Sequence, residues 1–354
     1  MKILSKAREV IRNLIYRHMY DFDNQSNLQF CWDKIRSVVI CKIDGKLGDA
    51  EVISPFIATL KRKFPRIKLI VLSSENIAEV YKNCFSMDQV VVCSRRPGKD
   101  EIERISKQII SCDLYITIEG KFRFHDFYIL YKLKPKYVAG INSGVTSLNL
   151  NMSLFATGAH ITDYFKGLLI VGGVSAGDII EDYRPIMTDD SIEFVKHFCS
   201  SNQIAFAPWG ASKHRRLKDE VIEMIVSKLQ MSGYQVALLF PPGENKLRQK
   251  IESCELKAAL VEIPEVLSIY ELVAVISQSK AVISVDTANV HLACAFDMPI
   301  FGIYSGCKPY QFVLWGPKPG HKDAVIFYRD KKMIDELDYS DIEHCLDLFM
   351  DKIV

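Results

Sequence analysis

The chain has 354 residues, 49% hydrophobic and 25% charged, with a formal net charge of +2. That is an ordinary globular composition, long enough for two domains, and it excludes a fibrous or disordered chain. So small a net charge supplies no global field for nucleic acid, and no nucleic-acid partner is expected. No apolar run reaches the length of a transmembrane span, and the start of the chain lacks a signal-peptide core. The ten cysteines lack C-x-x-C or metal-pair spacing and read as reduced core residues of a cytoplasmic protein.

Residues 1–28 form an appendage. Ile3, Leu4, Val10, Ile11, Leu14 and Ile15 recur at helical spacing, with Lys2, Lys6, Arg8, Arg12 and Arg17 largely elsewhere on the wheel. Such a basic amphipathic helix suits an anionic membrane surface or, equally, the protein's own body. Residues 29–175 then alternate apolar runs with helical patterns. Strands are predicted at 34–43, 67–74, 89–95, 113–119 and 137–142, and helices near 49–63, 76–84, 100–111 and 125–132. A linker is expected over about 167–188. Residues 176–334 repeat the theme, with strands at 203–210, 235–243, 258–264, 281–287 and 299–306. Helices are expected there near 189–200, 217–232, 244–254, 268–278 and 288–296. This alternation predicts two Rossmann-like α/β domains with parallel sheets, facing one another across a cleft. A last helical pattern in 335–354 could pack back on the first domain.

Ligands of open α/β sheets sit beyond the carboxyl ends of the strands, so the turns there carry the chemistry. After the first strand come Gly45, Gly48 and Asp49, opening an apolar-periodic helix. Asp49 there is either a helix cap or a general base facing a ligand. The turns at Arg95, Arg96 and Lys99, and at Lys121 and Arg123, are cationic and read as phosphate sites or as plain surface. After residue 207, Lys213, His214, Arg215 and Arg216 crowd one loop, a solvated run or a diphosphate site. Glu244 follows Gly243 at a helix start, where a carboxylate also complements the helix dipole. Asp286, Thr287 and Ala288 end the AVISV strand and open a helix that includes His291. They read as an N-cap pair with a packing histidine, or as an anion site at a helix N-terminus.

Taken together, these segments resemble the ADP-heptose–lipopolysaccharide heptosyltransferases. The resemblance rests on D-T-x-x-x-H at Asp286-Thr287 to His291, with Ala288 where that family has glycine. It rests also on Gly48-Asp49 before Lys61 and Pro65, on Gly210-Ala-Ser with Arg215, Leu217 and Glu220, and on Glu244. The segment His160 to Leu169 and the run Leu314-Trp315-Gly316-Pro317 complete it, in order from about residue 37 to 317. The pattern is more like the later-acting, outer-core members. What the resemblance implies is a GT-B fold and an inverting transfer of heptose from ADP-heptose to a hydroxyl of the lipopolysaccharide core. It implies no cofactor and no metal, and no D-x-D pair stands in a loop after a strand. It casts Asp49 as catalytic base. Lys213, Arg215, Arg216, Glu244, Asp286, Thr287, Ala288 and His291 would hold the donor, and Gly48, Arg95, Arg96, Lys121 and Arg123 the acceptor. It also implies a peripheral enzyme on the cytoplasmic face of the inner membrane. Other members of the fold bind UDP-sugars, and a catalytically silent core-binding homologue would keep the same architecture.

Overall fold

A computed structural model describes residues 2–24, 29–141, 144–210, 212–240, 259–264, 267–306, 309–321, 323–331 and 333–353. The chain divides into two compact units, Met1–Asp182 and Tyr183–Val354.

In the first unit, strand β1 (Ser37–Lys42) is buried at every position. An unbroken Val/Ile run of this kind suits a parallel sheet covered on both faces. Helix α2 (Leu47–Lys63) returns the chain to β2 (Lys68–Ser73), then α3 (Glu75–Asn83), β3 (Gln89–Val92), α4 (Lys99–Gln108), β4 (Leu114–Thr117), α5 (Phe124–Leu133), β5 (Tyr137–Gly140) and β6 (Leu150–Asn151). All pairings are parallel, with Ile40 facing Val71 on one side and Ile116 on the other, and the order is β3-β2-β1-β4-β5-β6. This is the Rossmann order, whose switch point lies between β1 and β4.

Helix α6 (Ile161–Val171) closes the unit and occupies the beginning of the expected linker. Its start explains the His160-x-x-Asp163 pattern. The Thr162 N–H donates to the His160 ring, and the His160 N–H donates to the Asp163 carboxylate, a reciprocal cap on the first turn. Gly167 lets α6 approach the chain at Phe155, since a Cβ there would lie 1.9 Å from the Phe155 carbonyl oxygen. Trp32, fully buried, donates its indole N–H to the Leu169 carbonyl at 3.2 Å and so ties α6 to the segment before β1.

Helix α1 (Lys2–Tyr20) docks on α5 by an aromatic face. The Tyr16 ring lies 4.9 Å from that of Phe124, and Tyr20 lies 5.0 Å from Tyr128 and 5.4 Å from Tyr131. Of the aliphatic side chains described, Val10, Ile11, Leu14, Ile15 and Met19 remain between 50% and 59% exposed. Of the two readings of this helix, the body contact is made by Tyr16 and Tyr20.

The second unit holds α7 (Asp189–Lys196), β7 (Gln203–Ala207), α8 (Asp219–Met231), β8 (Gln235–Leu238), α9 (Ile269–Ser277), β9 (Ala281–Val285), α10 (Ala288–Ala295), β10 (Ile300–Ser305), α11 (Pro309–Trp315), β11 (Ala324–Arg329) and α12 (Tyr339–Ile353). Its sheet is also parallel, ordered β11-β10-β9-β7-β8, with the switch point between β7 and β9. The strand predicted at 258–264 contributes one isolated parallel bridge, Leu260 to Val236. That bridge lies on the outer side of β8, so the connectivity echoes that of the first sheet. The C-terminal helix, expected to be able to reach the first half, supplies Ile342, Leu346 and Phe349 to the second unit's own core. Lys228 of α8 holds it at Asp347 (2.6 Å) and Glu343 (3.1 Å). The predicted helix at 244–254 lies outside the described residues. No described helix is long and apolar enough to cross a membrane.

Candidate functional site

At the end of β1 stands a lysine inside an apolar strand. Lys42 is 2% exposed, and a buried ammonium must be paired. Its Nζ lies 2.5 Å from Asp49 Oδ2 and 3.3 Å from Asp44 Oδ1. Lys46, exposed, lies 2.8 Å from Asp44 Oδ2 and 3.9 Å from Asp49 Oδ2. Asp49 sits in the first turn of α2 and is 7% exposed. The N-cap is Lys46, which makes no side-chain cap, and the Asp49 carboxylate is engaged by Lys42. Gly48, beside it, is buried. The turn is held by Gly45 at φ +69°, where a Cβ would come within 2.5 Å of Ser74 Oγ. The Asn76 amide donates to the Gly45 carbonyl at 3.1 Å. Burial alone would push the Lys42 ammonium down, but the carboxylates of Asp49 and Asp44 outweigh it and hold it above the usual lysine range.

β4, the neighbour of β1 across the switch point, ends in the turn that carries Lys121 and Arg123, both exposed. Arg123 is the N-cap of α5, and its N–H donates to Asp126 at 2.7 Å. Arg95 and Arg96 follow β3 and are exposed. Burial first, and then the charges of Arg123 and Arg96, hold His125 down to about 4, so His125 is neutral at pH 7. Cations from two different strand ends thus act on one imidazole. Burial pushes the adjacent Asp126 carboxyl up to about 7.

In the second unit the loop after β7 folds on itself. Trp209 and Arg216 form an antiparallel bridge, and the Gly210 N–H donates to the Arg215 carbonyl at 2.6 Å. The Arg216 guanidinium stacks on the Trp209 ring, 5.0 Å from its centroid. Arg215 crosses to the neighbouring strand end, where Nη1 donates to the Asp286 carbonyl at 2.8 Å and lies 3.5 Å from Asp286 Oδ2. The structure therefore brings the cation loop and the Asp286 turn together at the β7/β9 switch point, as the parallel-sheet reading requires. Both side chains remain about two-fifths exposed, at 40% and 39%. Lys213 projects into solvent. Thr287 is the N-cap of α10, its hydroxyl accepting the Asn289 N–H at 3.2 Å, with Ala288 as the first helical residue. His291 is buried, its ring 6.5 Å from that of Tyr183. Glu244 lies outside the described residues. Among those described, no group of three His, Cys, Asp or Glu is placed to hold a metal ion.

Lys42 and Asp44 went unread in the sequence. The signal was there: a lysine in the run SVVICK has to find a carboxylate, and two stand within the next seven residues.

Two parallel-sheet α/β units, each with acids and cations at the carboxyl ends of its strands, match the GT-B fold of the heptosyltransferases. Solved structures with this fold include the glycosyl transferase family 9 protein from Veillonella parvula DSM 2008, 15% identical, with a TM-score of 0.71 over 92% of this chain and 99% of that one. The Escherichia coli heptosyltransferase WaaC, solved with ADP, gives 0.64 at 15% identity over 90% and 99%. ADP-heptose lps heptosyltransferase II of E. coli gives 0.63 at 14% identity over 89% and 98%. In sequence, residues 188–343 match the family model of glycosyltransferase family 9 (heptosyltransferase). A curated protein of E. coli (strain K12), "Putative lipopolysaccharide heptosyltransferase 4", is 23% identical over 323 residues, 83% of this chain and 82% of its own length. These findings support the heptosyltransferase family, and with it a glycosyltransferase.

Proposed function

We propose that the chain transfers heptose from ADP-heptose to a hydroxyl of the lipopolysaccharide core with inversion at the sugar's C1. The observation that carries this reading is Asp49, a nearly buried carboxylate at the carboxyl end of the central strand, one oxygen held by an ammonium that solvent does not reach. As the acceptor oxygen bonds to C1, Asp49 takes its proton. The C1–O bond to the diphosphate breaks on the opposite face, and its electron pair leaves with ADP. Arg215, Arg216, Lys213 and the N–H groups at Thr287-Ala288 meet the charge that develops on the diphosphate, without a metal or other cofactor. Asp286, oriented by Arg215, takes sugar hydroxyls, Glu244 the ribose, and His291 supports this turn from the core. Arg95, Arg96, Lys121 and Arg123, with Gly48 in the adjoining turn, face the phosphates of the acceptor. The aliphatic stripe of α1 rests on the cytoplasmic face of the inner membrane, where a lipid-bound acceptor would be presented.

The test is incubation of the purified protein with truncated core acceptors and either ADP-heptose or UDP-sugars, read by mass spectrometry. A mass gain of one heptose from ADP-heptose alone is expected. Transfer only from UDP-sugars, or none from either, would overturn the donor assignment or the activity.

A further inference from the structure

Lys42 cannot serve as a substrate-binding cation, because its side chain is 2% exposed and its Nζ is taken up by two carboxylates. The groups facing Asp49 are Lys42 from β1, Asp44 and Lys46 from the turn, and Tyr81 from α3. Burial pushes the Tyr81 phenol up, with Asp49 and Asp44 adding to this against Lys42, so Tyr81 stays neutral and adds no charge. Burial alone would push the Asp44 carboxyl up; Lys42 and Lys46 outweigh it and hold it down. Two cations and two anions therefore share one small volume, with the ammonium of Lys42 divided between Asp49 and Asp44. The turn that carries Asp44 is held at Gly45, whose carbonyl accepts the Asn76 amide and whose positive φ leaves no room for a side chain beside Ser74, so the division is built into the fold.

We infer that Lys42 and Asp44 are positioning residues for the transfer: Lys42 fixes Asp49 Oδ2 and keeps the carboxylate charged, while Asp44 draws off part of that ammonium so that Asp49 remains basic enough to take a proton. This rests on Asp49 being the base proposed above. Full possession by Lys42 would make Asp49 a poor proton acceptor. With no cation beside it, the carboxylate would lose the contact that holds Oδ2 in place. The two neighbours thus act in opposite directions on Asp49.

The experiment is the pH dependence of kcat and kcat/KM for wild type, Asp44→Asn, Lys42→Met and Asp49→Asn, with KM for the donor measured throughout. Lys42→Met should move the acid limb upward by about one to three pH units, the usual effect of an opposite charge a few ångströms away. Asp44→Asn should move it downward by up to about one unit and lower the plateau kcat, because the stronger ammonium contact weakens the base. Donor KM should stay within about twofold, since the donor-binding residues proposed above all belong to the second unit. If Lys42→Met does not fold, Asp44→Asn decides alone. Limbs that stay in place in the folded variants while Asp49→Asn is impaired would overturn the positioning role and leave the base assignment standing. Wild-type turnover in Asp49→Asn would overturn both.

Discussion

Replacing Ile11 and Leu14 of α1 together by serine tests whether the aliphatic stripe meets a membrane. The two side chains are 58% and 59% exposed, so a little over half of each remains to be withdrawn from water. Fully burying an isoleucine or leucine is worth about 1.5–3 kcal/mol, which leaves roughly 1–1.5 kcal/mol apiece. The pair should then contribute about 2–3 kcal/mol, or roughly 30- to 150-fold in binding. Arg12 and Arg17 add about 1 kcal/mol each near an anionic surface, less for Arg17 because Asp21 already pairs with it at 3.4 Å. The assay is sedimentation with vesicles containing anionic lipid at low and high salt, beside activity on a soluble acceptor. Thermal stability should change little, because both side chains are more than half exposed and the aromatic contact with α5 is made by Tyr16 and Tyr20. Vesicle binding that survives the double substitution would refute this use of the stripe. Loss of a dimer in sedimentation velocity would assign it to a second copy of the chain instead.

Asp49→Asn should fold, bind ADP like wild type and turn over about two to four orders of magnitude more slowly, the usual share of general-base catalysis, as read by single-turnover kinetics. Arg215→Ala should weaken ADP binding by roughly 1.5–3 kcal/mol in calorimetry, and Arg215→Lys should recover only part, since a point charge cannot serve both the diphosphate and Asp286. ADP binding equal to wild type in Arg215→Ala would make Arg215 a structural partner of Asp286 alone. Asp126→Asn should be more stable than wild type above neutral pH, with the advantage fading towards pH 4. Burial raises the folded-state carboxyl to about 7, so the stability it contributes is present at low pH and lost as pH rises through that value. The difference between the two proteins in denaturant melts should grow by roughly 2–4 kcal/mol from pH 4.5 to pH 8. His125, held down to about 4, works the other way, its contribution lost as pH falls from 6.5 through 4. The comparison cancels it, provided the substitution leaves the imidazole in place.

The architecture was legible because parallel strands covered on both faces leave a strong record. Each of β1, β2, β7, β9 and β10 is an apolar run ended by a glycine, proline or polar turn. The turns that bear Asp49, Arg215 and Asp286 follow directly from that reading, because each stands at a strand's carboxyl end. What the chain order could not supply was adjacency across the sheet. Strand order decides that β1 lies beside β4 and β7 beside β9, and only then does Arg215 reach Asp286, which is 71 residues away. The weaker elements escaped for an energetic reason. β6 is two residues long, β11 is mostly half-buried, and α6 shows no clean polar face, so the packing of neighbours, more than local pattern, determines them. The amphipathic wheel of α1 spelled out two faces but not which one the body would claim. Tertiary structure settled that by packing Tyr16 and Tyr20 edge-on or tilted against α5 and leaving the described aliphatic side chains more exposed. The state of Asp49 was likewise a three-dimensional fact. An acid in the first turn of a helix reads from sequence as either a cap or a base, and only the fold turns Lys42 inward from a buried strand to take one of its oxygens.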